Sequence, residues 1–298
     1  YEIPEGDKTS KGRALQNMIQ IPPDDKVRAI IDVKSLEDED YVNNHYIVLC
    51  TKQGIINKSR LKDFSRPRQN GINAITIKEG DQLLEAKLTD GNCEIMMAVK
   101  SGRAIRFPEL KVRPTGRGGI GVAGIDVDDA TDEVVGMVCV NVEDKTKTVL
   151  VVSANGYGKR TFLDDPETGE ANYRITNRGG KGVKTISVTA KTGSLVGLLA
   201  VTEAEDLMIT CVSGITIRMP VNQISEQGRA TQGVKLIRVD DGDEIAAITQ
   251  LDEKEVEETV ILDEEGNPIV AEALADETTL EDTDTTKTEE PTEPSDNE

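Results

Sequence analysis

Aromatic side chains are scarce in this chain of 298 residues: they make up 3% of it, and tryptophan is absent. Surfaces that grip single-stranded nucleic acid stack bases on aromatic rings, so a single-stranded partner is disfavoured from the outset. Soft metal ligands are equally few, with one histidine, His45, and four cysteines, Cys50, Cys93, Cys139 and Cys211. The cysteines sit singly inside apolar runs such as YIVLC and GMVCV, without a Cys-x-x-Cys pair. That spacing predicts no zinc site; the thiols read as small buried hydrophobes in reduced form. No apolar run approaches the roughly 20 residues of a membrane helix, and no signal segment opens the chain. The expectation is a soluble, cytoplasmic protein without a membrane partner. Because the chain opens on Tyr1 and not on Met, it reads as a piece of a longer protein.

Helical periodicity is missing too, and no segment supports a convincing helix. What is present is a repeat. One unit recurs: an apolar strand, a glycine turn, a basic strand, a loop, then Arg-x-x-x-Gly and a final strand. It appears as SGRAIRFPELKVRPTGRGGIGVAGIDV, with its turn at Gly102 and its second glycine at Gly121. It returns as NGYGKRTFLDD…RITNRGGKGVKTISV on Gly156 and Gly182, and as SGITIRMPVNQISEQGRATQGVKLIRV on Gly214 and Gly233. A looser copy, QGIINKSRLKDFSRPRQNGINAITI, uses Gly54 and Gly71, and GDKTSKGRALQNMIQI keeps only the second half, with Lys8 and Gly12. The second glycines are separated by 59, 50, 61 and 51 residues. Repeats of about 40–50 residues holding several short strands each belong to propeller-type blades.

The strands themselves rest on β-branched runs bounded by glycine, such as TVLVVSANG, LMITCVSG and YIVLCTKQG. After each second glycine an apolar triplet recurs in register: Val122, Ile125 and Val127; Val183, Ile186 and Val188; Val234, Ile237 and Val239; Ile72, Ile75 and Ile77. The last two members alternate as one buried face requires, whereas the first is out of phase. Either a bulge sits there or both faces are covered. The sequence therefore predicts an all-β domain over 1–251, with repeats near 1–21, 24–77, 81–127, 132–188 and 194–239 and a final partial blade from 243. Within 252–298, ETVILDEEGNPIVAEAL reads as one last hairpin, and the rest as a mostly disordered acidic tail.

A net charge of −20 argues at first against a nucleic-acid partner. Residues 251–298, however, carry 19 of the 55 acidic residues and only 2 of the 35 basic ones, which leaves the body nearly balanced. Local basic patches, not average charge, bind DNA. Each repeat offers two such clusters. One follows the turn glycine: Lys58 and Arg60, Arg103 and Arg106, Lys159 and Arg160, and Arg218. The other surrounds the second glycine: Arg66 and Arg68, Arg113 and Arg117, Arg174, Arg178 and Lys181, and Arg229. In a ring of blades these positions recur around one rim and form a curved basic band. Arginine donates to phosphate as a planar fork, and glycine lets backbone N–H groups approach. With no recognition helix to read bases, the expected contact is to the backbone of duplex DNA, independent of sequence and sensitive to salt.

Gly116-Arg-Gly118-Gly-Ile-Gly121 fits the dinucleotide pattern G-x-G-x-x-G by its letters, but it follows Val-Arg-Pro-Thr and precedes a strand where that site needs a helix. Neither Gly158-Lys159 nor Gly180-Lys181 has the phosphate-loop spacing. No Ser/His/Asp arrangement and no metal cluster stands out, and no catalytic residue is assigned.

YEIPEGDKTSKGRALQNMI, NGYGKRT and GRATQGVKLIRV, in this order and followed by an acidic ending, resemble the C-terminal domain family of DNA gyrase A, from a type IIA topoisomerase. The first resembles the end of that domain's first blade, the others its fourth and fifth blades, and the likeness covers about residues 1–250. It implies a six-bladed β-pinwheel whose first blade is incomplete here. It also implies that the domain wraps duplex DNA, so that strand passage introduces negative supercoils in the bacterial cytoplasm. The implied partners are the N-terminal region of gyrase A and the gyrase B protein, in an A2B2 assembly. ATP and Mg belong to that holoenzyme, as do the cleaving tyrosine and the ATP site, and no cofactor is implied for this chain. The family's box, Gln-Arg-Arg-Gly-Gly-Arg/Lys-Gly, has its nearest echo in Asn177-Arg178-Gly179-Gly180-Lys181-Gly182, which reads as a repeat loop. The rival readings are the similar C-terminal domain of topoisomerase IV, which lacks the box, a propeller scaffold for a protein partner, and a nucleotide-dependent enzyme.

Overall fold

A computed structural model describes residues 11–14, 17, 19, 21, 25–68, 71–127, 131–240 and 242–251, together with the backbone of 261–262 and 268–269. Lys8 and the segment expected to be a disordered tail lie outside the described residues. The chain divides into two units, Tyr1–Glu253 and Lys254–Glu298. In the second, β16 (Ile261–Leu262) pairs antiparallel with β17 (Pro268–Ile269), where the sequence predicts a last hairpin.

The first unit is built on four hairpins turning at the first glycine of each repeat. They are β1 (Tyr46–Thr51) with β2 (Ile55–Arg60), β4 (Cys93–Val99) with β5 (Arg103–Pro108), β8 (Thr148–Ser153) with β9 (Tyr157–Phe162), and β12 (Asp206–Cys211) with β13 (Thr216–Pro220). A third strand, from the segment leading to the next hairpin, adds beside the first: β3 (Leu83–Thr89), β7 (Val134–Asn141), β11 (Leu195–Val201) and β15 (Ile245–Leu251). The fourth strand comes from farther away. The two-residue strands β6 (Val122–Ala123), β10 (Val183–Lys184) and β14 (Val234–Lys235) each follow one hairpin and pair with the outer edge of the hairpin before it. A sequence repeat and a sheet therefore do not coincide, because each four-stranded sheet closes with a strand lent by the next repeat.

The lent strand resolves the out-of-phase triplet. Val122, Val183 and Val234 pair in the ladder for two residues only. The chain then leaves the ladder, and its N–H groups bond back to the turn glycine: Gly124 N to Gly54 O, Thr185 N to Gly102 O and Leu236 N to Gly156 O, each at 2.8–2.9 Å. Ile125, Ile186 and Ile237 thereby drop into three successive cores. Both faces of the inner strands are covered: in β4, Ile95 and Met97 face one core while Met96 and Ala98 face the next. A strand buried on both sides reads as a continuous apolar run, as CEIMMAV and TVLVVS do.

This crossing fixes both glycines. At Gly54 (φ +81°) a methyl group would stand 2.5 Å from Ile125 O, and at Gly182 (φ +72°) it would overlap the Ala104 carbonyl. Two further features depart from the sequence reading. A short helix, α1 (Glu39–Asn44), is present, capped by Asp38, whose Oδ1 accepts from Asp40 N and Tyr41 N at 3.0 and 3.1 Å. It is too short to show a 3.6-residue pattern. The outer edge of β13 has no lent strand among the described residues, and Ile215 and Ile217 are exposed along it.

Gly182→Ala is expected to lower stability by about 2–4 kcal/mol, through backbone strain and overlap together. Gly71→Ala, at φ +77° but in open space, is expected to lose only the strain, about 1–2 kcal/mol. Urea denaturation separates the two; equal losses would contradict the crossing.

Candidate nucleic-acid interface

The Arg-x-x-x-Gly loops lie directly before the lent strands, so the strands bring them into line. Gly118 N donates to Ala74 O and Thr76 N to Gly119 O, at 3.0 and 3.2 Å. One repeat on, Gly179 N donates to Gly124 O at 2.6 Å and Asp126 N to Gly180 O at 3.0 Å; one further, Ser187 N donates to Thr231 O at 3.0 Å. Arginine side chains stitch the same joints. Arg178 Nη1 bonds Ala123 O at 3.0 Å and its Nε bonds Lys111 O at 3.1 Å; Arg229 Nη1 bonds Lys184 O at 3.2 Å. Each loop is thus laid on the segment that follows the second glycine of the repeat before it, in a row from Ala74 to Thr231.

The fifteen basic residues singled out from the sequence divide by burial. Arg60, Arg66, Arg68, Arg113, Arg117, Arg174, Lys181 and Arg218 are exposed, and Arg103, Arg178 and Arg229 are half-buried. Lys58, Arg106, Lys159 and Arg160 are buried and cannot present a charge to a phosphate backbone as they stand. Sequence reasoning passed over Lys111, Lys184, Lys235 and Arg238, which are exposed on the loops and lent strands. The recurring Val-Lys at 183–184 and 234–235 was the signal for two of them.

The correction for three of the buried cations has a single physical cause. Lys58, Arg106, Arg160 and Arg218 each stand four residues past a turn glycine, opposite Val48, Met96, Leu150 and Met208 on the partner strand. A buried charge has to be paired. Lys58 Nζ lies 2.6 Å from Glu109 Oε1, in the turn after the next hairpin. Arg106 bonds Glu94 on its own sheet and Asp164, Leu163 O and Tyr173 O from the repeat beyond. Arg160 bonds Glu203 Oε1 at 3.1 Å and Ile224 O at 2.8 Å, while its Nη1 makes no hydrogen bond and rests 3.4 Å from Glu226 Oε1. These side chains tie one repeat to the next. Arg218, on the uncapped hairpin, pairs among the described residues with Asp206 on its own sheet and is exposed. Burial alone would lower the Arg106 value, but hydrogen bonds and charge from Asp164 and Glu94 raise it. The bond from Arg106 in turn holds Asp164 below the usual carboxylate range.

Lys159 is different. Its Nζ donates to Gly228 O at 2.5 Å and has no carboxylate partner among the described residues. Burial first, then the charges of Arg229 and Lys184, push it down to about 8.

The structure also gathers Asp90, Cys93 and Glu109, three potential metal donors that sequence spacing did not mark. Glu109 already holds the Lys58 ammonium and the Thr89 hydroxyl. Burial, reinforced by Glu109 and Asp90, raises the Cys93 thiol to about 12, which favours the protonated thiol over a ligating thiolate. All four cysteines are free, with Cys50 and Cys211 buried and the other two half-buried. His45 Nδ1 lies 2.8 Å from Tyr41 O, at the end of α1. No helix among the described residues is long and apolar enough to cross a membrane.

Residues 45–90, 94–141, 147–165, 168–202 and 205–252 match the family model described as DNA gyrase C-terminal domain, beta-propeller. The chain is 39% identical over 283 residues to DNA gyrase A of Staphylococcus aureus strain MRSA252, covering 94% of this chain and 30% of that protein. It is 41% identical over 259 residues to DNA gyrase A of strain NCTC 8325 / PS 47, covering 87% and 28%. The chain thus spans less than a third of the length of these relatives. Among solved structures, a DNA gyrase A C-terminal domain superposes with a TM-score of 0.67 at 24% identity, covering 81% of this chain and 76% of that one. A topoisomerase IV C-terminal domain superposes at 0.71 and 20% identity, covering 81% and 71%. At such identities both likenesses speak to the fold.

Arg106→Met is expected to cost about 3–5 kcal/mol at neutral pH, because Glu94 and Asp164 lose their counter-charge. Asp164 titrates below its unfolded value, so its stabilisation is present above about pH 4 and lost as pH falls through the folded value. The gap between wild type and variant should therefore narrow in denaturation curves taken at pH 3.5. A constant gap would contradict the pairing.

Proposed function

The chain belongs to the DNA gyrase C-terminal domain family, and on that footing we propose that it binds duplex DNA along the row of Arg–Gly loops, without regard to sequence, and wraps it. The observation that carries this reading is the row itself. Backbone hydrogen bonds join loop to loop from Ala74 to Thr231, and Lys111, Arg113, Arg117, Arg174, Lys181, Lys184, Lys235 and Arg238 are exposed along or beside it. Bending a duplex by tens of degrees costs several kcal/mol, and a track of spaced phosphate contacts spreads that cost along the arc. Glycines at the loop centres let the duplex come close to backbone N–H groups.

Within a gyrase the wrap feeds one DNA segment to the cleavage gate. The chain then contributes to ATP-driven negative supercoiling alongside the N-terminal region of gyrase A and the gyrase B protein, in the cytoplasm. The gyrase A relatives at 39% and 41% identity favour gyrase over topoisomerase IV for this role.

Binding to a random-sequence duplex of roughly 100 base pairs, followed by anisotropy, is expected to weaken steeply with salt, by about 0.9 in log affinity per log salt for each phosphate neutralised. Arg113→Gln, Arg117→Gln and Arg174→Gln should each lower that slope by about 1. Wrapping is read separately, as a linking-number change in a circular plasmid relaxed in the presence of the chain. Absence of binding at low salt, or neutralisation of these arginines without effect, would favour a protein-binding scaffold instead.

A further inference from the structure

Lys159 occupies a position whose structural duty is visible elsewhere in the same molecule. Three residues past the turn glycine, β2 carries Asn57, β5 carries Ile105 and β9 carries Lys159. Asn57 Nδ2 donates to Gly119 O and Thr115 Oγ1, each at 3.1 Å, and so holds the Arg–Gly loop of the next repeat against the sheet. A neutral amide performs that task in one sheet, and an alkyl side chain stands there in another. An ammonium is not required by the fold, and burying one opposes folding.

Its neighbours compound that opposition. Lys159 has no exposed surface, and its one hydrogen bond goes to Gly228 O in the loop that carries Arg229. The charged groups acting on it are Arg229 from that loop and Lys184 from β10, both cations, joined by the bond from Arg229 Nη1 to Lys184 O. Arg160, next along β9, is engaged with Glu203 and Glu226. Tyr173, within the field of Arg229, keeps its hydroxyl 2.6 Å from Thr185 Oγ1, and burial raises it. None of Lys159, Lys184 and Arg229 has a carboxylate partner among the described residues. Three cations without an anion, two of them reachable from solvent, form a ledge that lacks its counter-charge.

We propose that a DNA phosphate seated on the Lys184–Arg229 ledge supplies that counter-charge, and that its binding is coupled to uptake of a proton from solvent by Lys159. This rests on the DNA-binding reading and adds a regulation to it: the grip tightens with acidity and loosens in mildly alkaline solution. In the free protein Lys159 loses its proton near pH 8. A phosphate above it offsets the two cations and returns it toward the ordinary lysine value of about 10.4. The bound state then holds more protons than the free state between those limits, so affinity falls as pH rises through them. For folding the sign is opposite. The unfolded chain holds this proton up to about pH 10.4, so the free protein gains stability as pH rises from about 8 toward that value.

The test measures binding of the 298-residue chain to the same duplex at fixed ionic strength from pH 7 to 9.5. Wild type is expected to weaken by about tenfold across that range, and Lys159→Met to stay nearly flat. Should Lys159→Met fold poorly, calorimetry on the unaltered chain at pH 8.5 reads the linkage directly. Titrations in two buffers of different ionisation enthalpy should report net proton uptake on binding. Tight binding with no proton uptake, or equal pH slopes for wild type and variant, overturns the coupling and leaves the DNA-binding reading standing. No binding at any pH in low salt overturns both.

Discussion

A β-hairpin leaves the N–H and C=O groups of its outer edge unpaired, and an unpaired edge buried beside another sheet is costly. In this protein three hairpin edges are closed by two residues each, lent by the following repeat. To reach that edge, the lent segment has to pass close against the backbone of the earlier hairpin and then fold back beneath its turn. Both glycines of the repeat are there because a side chain would collide on that path. The Arg–Gly loops stand in a row for the same reason, since each is the approach to a lent strand and rests on the segment after the second glycine of the repeat before it.

The cations of the repeat are sorted by that geometry. Four residues past a turn glycine, the side chain points into the space between repeats, and the carboxylates that meet it come largely from the next repeat. Desolvation offsets much of the Coulomb attraction in such pairs, so removing one partner costs more than forming the pair gains. Around the second glycine Arg113, Arg117, Arg174 and Lys181 are exposed, while Arg178 and Arg229 lie half-buried against backbone carbonyls. Arg218 tests the rule from within: its hairpin has no lent strand and no carboxylate from a following repeat among the described residues, and it is exposed while its counterparts are buried.

Much of this was legible in the sequence. The repeat, the hairpins, the turn glycines and the all-β class follow from β-branched runs and glycine spacing, which are local signals. What escaped was non-local. Val122 looks out of phase with Ile125 until one knows that the ladder lasts two residues and belongs to another sheet. Lys58, Arg106 and Arg160 looked like a rim because they recur, but recurrence is equally the mark of a structural tie, and only Glu109, Asp164 and Glu203 reveal it. Gly54 to Lys58, Gly102 to Arg106 and Gly156 to Arg160 share one interval, and strand alternation at that interval points inward. Lys184 and Lys235 escaped for the converse reason, since the valines beside them drew attention as core. The helix at Glu39–Asn44 depends on a single cap and leaves no periodicity to find.

The central claim is that DNA meets the loop row and not the rest of the surface, and lysine acetylation read by mass spectrometry, with and without duplex, addresses it residue by residue. DNA is expected to protect Lys111, Lys181, Lys184 and Lys235, to leave Lys87 on β3 and Lys145 before β8 as reactive as before, and to change nothing at Lys58, which is buried in the free protein. Protection centred on Lys87 and Lys145, with the loop lysines unaffected, would contradict it.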